Sequence, residues 1–73
     1  MERNEKLFQK LGEKVAAFRK NKAFTVEELA AAAGLEPSQI LEIEAGKLNF
    51  HLSTMVALAL ALGISPAELV RGL

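Results

Sequence analysis

The stretch FTVEELAAAAGLEPSQILEIEAGK, residues 24–47, decides the fold. Thr25, followed three residues later by Glu28, is a capping box: each side chain can accept the other residue's backbone N–H. Phe24 before the cap and Leu29 four residues after it form a hydrophobic staple. The pattern predicts a helix over about 26–33, ended by Gly34, which takes the left-handed conformation without a Cβ clash. Pro37 suits the first turn of a second helix, where its missing N–H leaves nothing unsatisfied. Leu35, Ile40 and Ile43 point one way, so that helix covers about 37–45 and stops at Gly46.

Working outward, Leu7, Leu11, Val15 and Phe18 recur at helical spacing, with Phe8 at the edge of their face. They predict a first helix over about 4–20, broken at Arg19-Lys20-Asn21-Lys22. Downstream, Lys47-Leu48-Asn49-Phe50-His51 reads as a loop. A helix over about 52–62 follows, with Leu52, Met55, Val56, Ala59 and Leu62 as its buried stripe and Gly63 as its stop. Ser65, Pro66 and Glu68 repeat the cap, Ile64 and Leu69 repeat the staple, and a last helix covers about 66–71. No strand pattern or internal repeat occurs. The fold class is therefore all-α: five short helices in a single domain, 1–73.

Composition narrows the function. The 73 residues hold no Cys, Asp, Trp or Tyr and one His. A disulfide framework and a thiolate metal site are excluded. A catalytic or metal centre would have to come from His51, Ser, Thr and Glu alone, so no enzyme, catalytic residue, metal or cofactor is expected. The longest apolar run, Met55 to Leu62, falls far short of the roughly 20 residues of a membrane span. The start, MERNEKLFQK, has no apolar signal region. The expected setting is cytoplasmic.

Two short helices joined by a Gly-containing turn suggest a helix-turn-helix, here helices 2 and 3. The order of pieces is specific: Arg19-Lys20 closing helix 1, Thr25 with Glu27-Glu28-Leu29-Ala30, the Gly34 turn, Ile40-x-x-Ile43-Glu44-x-Gly46-Lys47, and Ala59-x-x-Leu62-Gly63-Ile64-Ser65. Over about residues 11–70 the chain resembles the Cro and phage-repressor (lambda-repressor-like, XRE) helix-turn-helix domains. The resemblance implies a sequence-specific transcriptional regulator of double-stranded DNA, with helix 3 in the major groove. Carried over by position, Glu36, Pro37, Ser38, Gln39 and Glu42 would contact bases, and Arg19, Thr25, Lys47 and Asn49 phosphates. Arg19 and Glu44 match an ion pair between helices 1 and 3.

The chain also departs from that pattern. Val26 stands where the family often has Gln, Phe50 where it often has Pro, and Glu36, Pro37 and Leu41 where it has Ser, Thr or a basic residue. Helix 3 carries no Lys or Arg. Residues 1–23 hold seven basic and three acidic side chains (+4), residues 24–46 five acids and no base (−5), and residues 47–73 two bases and one acid (+1). The unit expected in an anionic groove is thus the acidic part of the chain. At about 10 Å in water, each carboxylate–phosphate pair opposes binding by roughly 0.4 kcal/mol before screening. Glu42 can instead accept from a cytosine amino group.

Helix 4 is apolar almost all round, with Ala57, Leu58, Leu60 and Ala61 outside the expected stripe. That pattern asks for a partner. A homodimer through Ala57, Leu60, Ala61, Leu69, Val70 and Leu73 is expected, which would set two recognition helices about one DNA turn apart. The alternative reading is a helix-turn-helix used as a protein-interaction module with weak or no DNA binding, docking a protein partner on Val26, Leu41 and the acidic helix 3. Lys6, Lys10 and Lys14 read as a solvated face of helix 1, and His51 as a helix-start polar residue.

Overall fold

The computed structural model describes the backbone of residues 2–47 and 51–73 and the side chains of 6–47 and 51–73. The helices are α1 (Glu2–Asn21), α2 (Val26–Ala33), α3 (Pro37–Glu44), α4 (Leu52–Leu62) and α5 (Pro66–Val70). Every expected element is present. α3 and α5 each end one residue early, α3 because Ala45 already serves as its C-cap.

The helix starts form as their sequences dictate. At α2 the Glu28 N–H donates to Thr25 Oγ1 (3.0 Å) and the Thr25 N–H to Glu28 Oε1 (2.8 Å). At α5 the Glu68 N–H donates to Ser65 Oγ (3.2 Å) and the Ser65 N–H to Glu68 Oε1 (3.0 Å). Gly34 closes α2 at φ +72°.

One core collects residues from all five helices: Leu11 and Val15 from α1, Leu29 and Ala30 from α2, Ile40 and Ile43 from α3, Leu58, Ala59 and Leu62 from α4, and Leu69 from α5. Phe18, Phe24, Leu35, Met55 and Ile64 pack around it. Among the described residues no polar side chain is buried.

Two sequence expectations change. Leu7, placed on the core face of helix 1, is 41% exposed, one turn beyond the core residue Leu11. In α4 the buried residues are Leu58, Ala59 and Leu62, with half-buried Met55 packed against them. Leu52, expected among them, is 71% exposed, and Leu58, not expected there, is fully buried. With Ser53 and Thr54 at its start as its only polar residues, α4 has no continuous polar face to orient it by pattern. The packing of neighbouring helices chose the face.

α1 crosses the C-terminal end of α3 with almost no space between backbones. A Cβ built on Gly12 would lie 2.2 Å from the Ile43 carbonyl oxygen and 3.0 Å from that of Glu44. Gly46, at φ +75°, sits equally close to Gln9, where a Cβ would lie 2.7 Å from its Cα. Two glycines thus fix how deeply α3 seats on α1. Lys14 Nζ donates to the Arg71 carbonyl, tying α1 to the end of α5.

Candidate nucleic-acid interface

α3 divides cleanly into two faces. Ile40 and Ile43 are fully buried. Pro37, Ser38, Leu41 and Glu42, with Ala45 just past the helix, are exposed. At 100° per residue they span an arc of about 140°, with Leu41, Ala45 and Ser38 at its centre. Leu41 is 57% exposed. Thr25, at the start of α2, and Lys47, just after α3, are also exposed.

The five expected base readers are not equivalent in this geometry. Pro37, Ser38 and Glu42 stand on the open arc. Glu36 is exposed at the N-cap of α3, where its charge complements the positive end of the helix dipole. That supplies a reason for an acid at this position independent of any ligand. Gln39 is half-buried, and its Oε1 accepts the Glu36 N–H at 2.9 Å. One lone pair of its carboxamide oxygen is therefore committed to capping the helix, while its amide nitrogen keeps its donors.

Arg19 is the best-held side chain of the region. Its Nε donates to Glu44 Oε2 (2.6 Å), its Nη2 to Glu44 Oε1 (3.1 Å) and its Nη1 to the Phe24 carbonyl (2.9 Å). Each side chain of the pair is 13% exposed. This bidentate fork joins the end of α1, the turn before α2 and the end of α3. The hydrogen bond to Glu44 is the main reason the guanidinium pKa lies above its usual value; burial opposes it, and the Glu44 charge adds to it.

Residues 15–69 match the family described as helix-turn-helix. The chain belongs to that family. Helix-turn-helix proteins similar to it include the immunity repressor protein of Bacillus phage phi105, 38% identical over 60 residues, which are 82% of this chain and 42% of that protein. An uncharacterized HTH-type transcriptional regulator, y4dJ, of Sinorhizobium fredii (strain NBRC 101917 / NGR234) is 37% identical over 60 residues, 82% of this chain and 78% of that one. The chain thus spans under half the length of the phage repressor. Among solved structures, the restriction-modification controller protein C.AhdI from Aeromonas hydrophila is 35% identical with a TM-score of 0.83, covering 85% of this chain and 94% of its own. Helix-turn-helix membership of this XRE, lambda-repressor type makes the chain a DNA-binding transcriptional regulator rather than an enzyme.

Within the helix-turn-helix frame, Thr25 Oγ1 accepts from Glu28 and keeps its own proton to donate. Asn49 and Phe50 lie outside the described residues. His51 occupies the N-cap position of α4 without a side-chain cap bond. Of the expected partner surface, Leu60 (72%), Leu73 (40%) and Val70 (37%) are exposed, while Ala57 and Ala61 are half-buried. Leu69 is a correction: it is fully buried in the chain's own core and offers a partner nothing. As the staple residue of α5 it packs inward, a role its spacing from Ile64 already marked. Among the described residues no helix is long and apolar enough to cross a membrane, and no cluster of metal-ligating side chains occurs.

Three residues escaped sequence reasoning. Gly12 lies inside a helical pattern where Gly is disfavoured by about 1 kcal/mol, which was the available signal. Ala23 takes φ +59° in the turn before α2, with nothing in its identity to mark it. Lys22 reaches the end of α4: a Cβ on Gly63 would lie 3.2 Å from its Nζ. There its charge meets the negative end of the helix dipole, and it also stands 5.7 Å from the Phe24 ring centroid.

Proposed function

We propose that this regulator binds specific duplex sequences by laying α3 in the major groove, as a homodimer. The observation that carries the reading is the division of α3, with two isoleucines sealed in the core and one open arc of side chains facing away. Pro37, Ser38, Leu41 and Glu42 then meet base edges. Thr25, Lys47 and Asn49 contact phosphates. Arg19 acts mainly by position, holding Glu44 and so the angle of α3, with two N–H groups left to face a phosphate.

Dimerisation is supported by α4. Leu52, Val56 and Leu60 recur every four residues, and the two leucines are 71% and 72% exposed. Such a ridge is the kind of surface a second copy covers. The molecule measures 31 × 23 × 21 Å, so two copies side by side can place their α3 helices near the 34–36 Å of one DNA turn. The proposed setting is the cytoplasm, on the nucleoid.

The protein-docking alternative draws on the −5 charge of residues 24–46. It needs Leu41 at the centre of an apolar patch. Instead Leu41 lies between Pro37 and Ala45 with Ser38 and Glu42 beyond, so the apolar part of the arc is one narrow row, and Val26 packs toward the core.

The test is selection from a randomised duplex pool at about 50 mM salt, where phosphate contacts count most. A palindrome with half-sites about 10 base pairs apart supports the dimeric reader. Lys47→Ala is expected to weaken all sequences alike and lower the salt slope by about one. No retained duplex overturns the reading.

A further inference from the structure

Within that reading, we propose that Leu41 and Glu42 set the sequence preference: Leu41 reads the C5-methyl group of a pyrimidine, and Glu42 accepts from the exocyclic amino group of a neighbouring cytosine. The inference rests on the DNA-reading function and specifies which bases it selects.

The open arc of α3 offers little else. It carries no Lys or Arg, so the bidentate contact that most often selects guanine cannot come from this helix. Pro37 has no N–H, and the Gln39 and Ile40 N–H groups both turn back to the Glu36 carbonyl, at 3.0 and 3.3 Å. Gln39 has its oxygen in the cap. Beside the Ser38 hydroxyl, which donates or accepts and so discriminates little, what projects is one large apolar side chain, 57% exposed, and a carboxylate that only accepts.

Major-groove chemistry offers a counterpart to each. The C5-methyl of thymine is the apolar group on that surface, and the cytosine N4 amino group is a donor without an adjacent acceptor on the same base. The guanine edge shows two acceptors there, N7 and O6, which repel a carboxylate. The same acidity that opposes the phosphates therefore selects against guanine at the position Glu42 faces.

The experiment starts from the duplex enriched by the selection above. Each thymine is replaced in turn by uracil, which removes only the C5-methyl. One position per half-site is expected to weaken binding about fourfold, the effect of losing one buried methyl. Leu41→Ala is expected to bind about equally with thymine or uracil there, with its helical circular dichroism unchanged. Glu42→Gln exchanges a pure acceptor for a carboxamide that pairs with adenine N6 and N7. It is expected to move the preferred base from cytosine to adenine, by tenfold or more. Uracil tolerated at every position, or guanine enriched opposite Glu42, overturns the proposal while leaving the DNA-reading function intact. Failure to enrich any duplex overturns both.

Discussion

Gly12→Ala tests how α3 is seated. In an exposed helix the change would stabilise by about 1 kcal/mol, because Ala is the best helix former and Gly among the worst. Here the new methyl would lie 2.2 Å from the Ile43 carbonyl oxygen. Both contacting atoms belong to backbone, so no side chain can rotate away. Reaching an ordinary contact requires α1 and α3 to part by about 1 Å, and overpacking of this kind typically costs 1–3 kcal/mol or more. A 2.2 Å approach to backbone belongs at the upper end, about 2–3 kcal/mol, so the net expectation is a loss of about 1–2 kcal/mol. In a domain of this size that lowers Tm by about 4–16 °C. Thermal denaturation followed by circular dichroism measures it. The same displacement moves the open arc of α3, so under the proposed reading affinity for the selected duplex should fall further than affinity for random DNA. A Tm that rises, as helix propensity alone predicts, would refute the close approach.

Further outcomes follow from other contacts. Glu44→Gln leaves the Arg19 charge without its partner and should destabilise by about 2–3 kcal/mol, below the 3–5 of a fully buried pair because both side chains keep some exposure. Chemical denaturation reads the loss; unchanged stability would remove the pair's structural role. Because the Arg19 pKa is raised, its contribution is fully present below the unfolded-state value and is lost only as pH rises through the folded-state one, in the strongly alkaline range. Denaturation midpoints between pH 6 and 10 should show no step that Arg19→Lys abolishes. Ala23→Gly relieves a left-handed φ of +59° and should raise stability by about 0.5–1 kcal/mol, unless that turn is unstrained. Leu60→Glu should shift sedimentation from dimer to monomer with helical content retained; an unchanged dimer would place the interface elsewhere.

The helix starts were legible because their chemistry is local. Thr25 with Glu28, and Ser65 with Glu68, pair within one turn, so the sequence spells the geometry. Arg19 and Glu44 are 25 residues apart and became readable only through resemblance to a family. The face of α4 was not legible, since apolar residues surround it and only packing distinguishes Leu52 from Leu58. At α3 the sequence marked which residues would stand on the open face, but not that Gln39 also caps its own helix. Gln39 and Glu36 repeat the three-residue spacing of the other two boxes, and the polar groups that suit a cap also suit a base. Ala23 gave no warning, because a left-handed turn usually recruits Gly or Asn.

α3 is secured unevenly along its length. Its later half is pinned by Ile40 and Ile43 in the core, by Gly12 and Gly46 against α1, and by the fork from Arg19. Its first turn, Pro37 and Ser38, is held by little beyond its own cap. It behaves as a beam clamped at one end, with Pro37 and Ser38 on the overhang and Leu41 and Glu42 projecting from the clamped part. Substitutions at 37, 38, 41 and 42 therefore meet solvent in the free protein and disturb no core contact. In the proposed reading, recognition can therefore drift toward new operators while the scaffold stays unchanged, and an acidic, leucine-bearing reading surface is one outcome the fold tolerates.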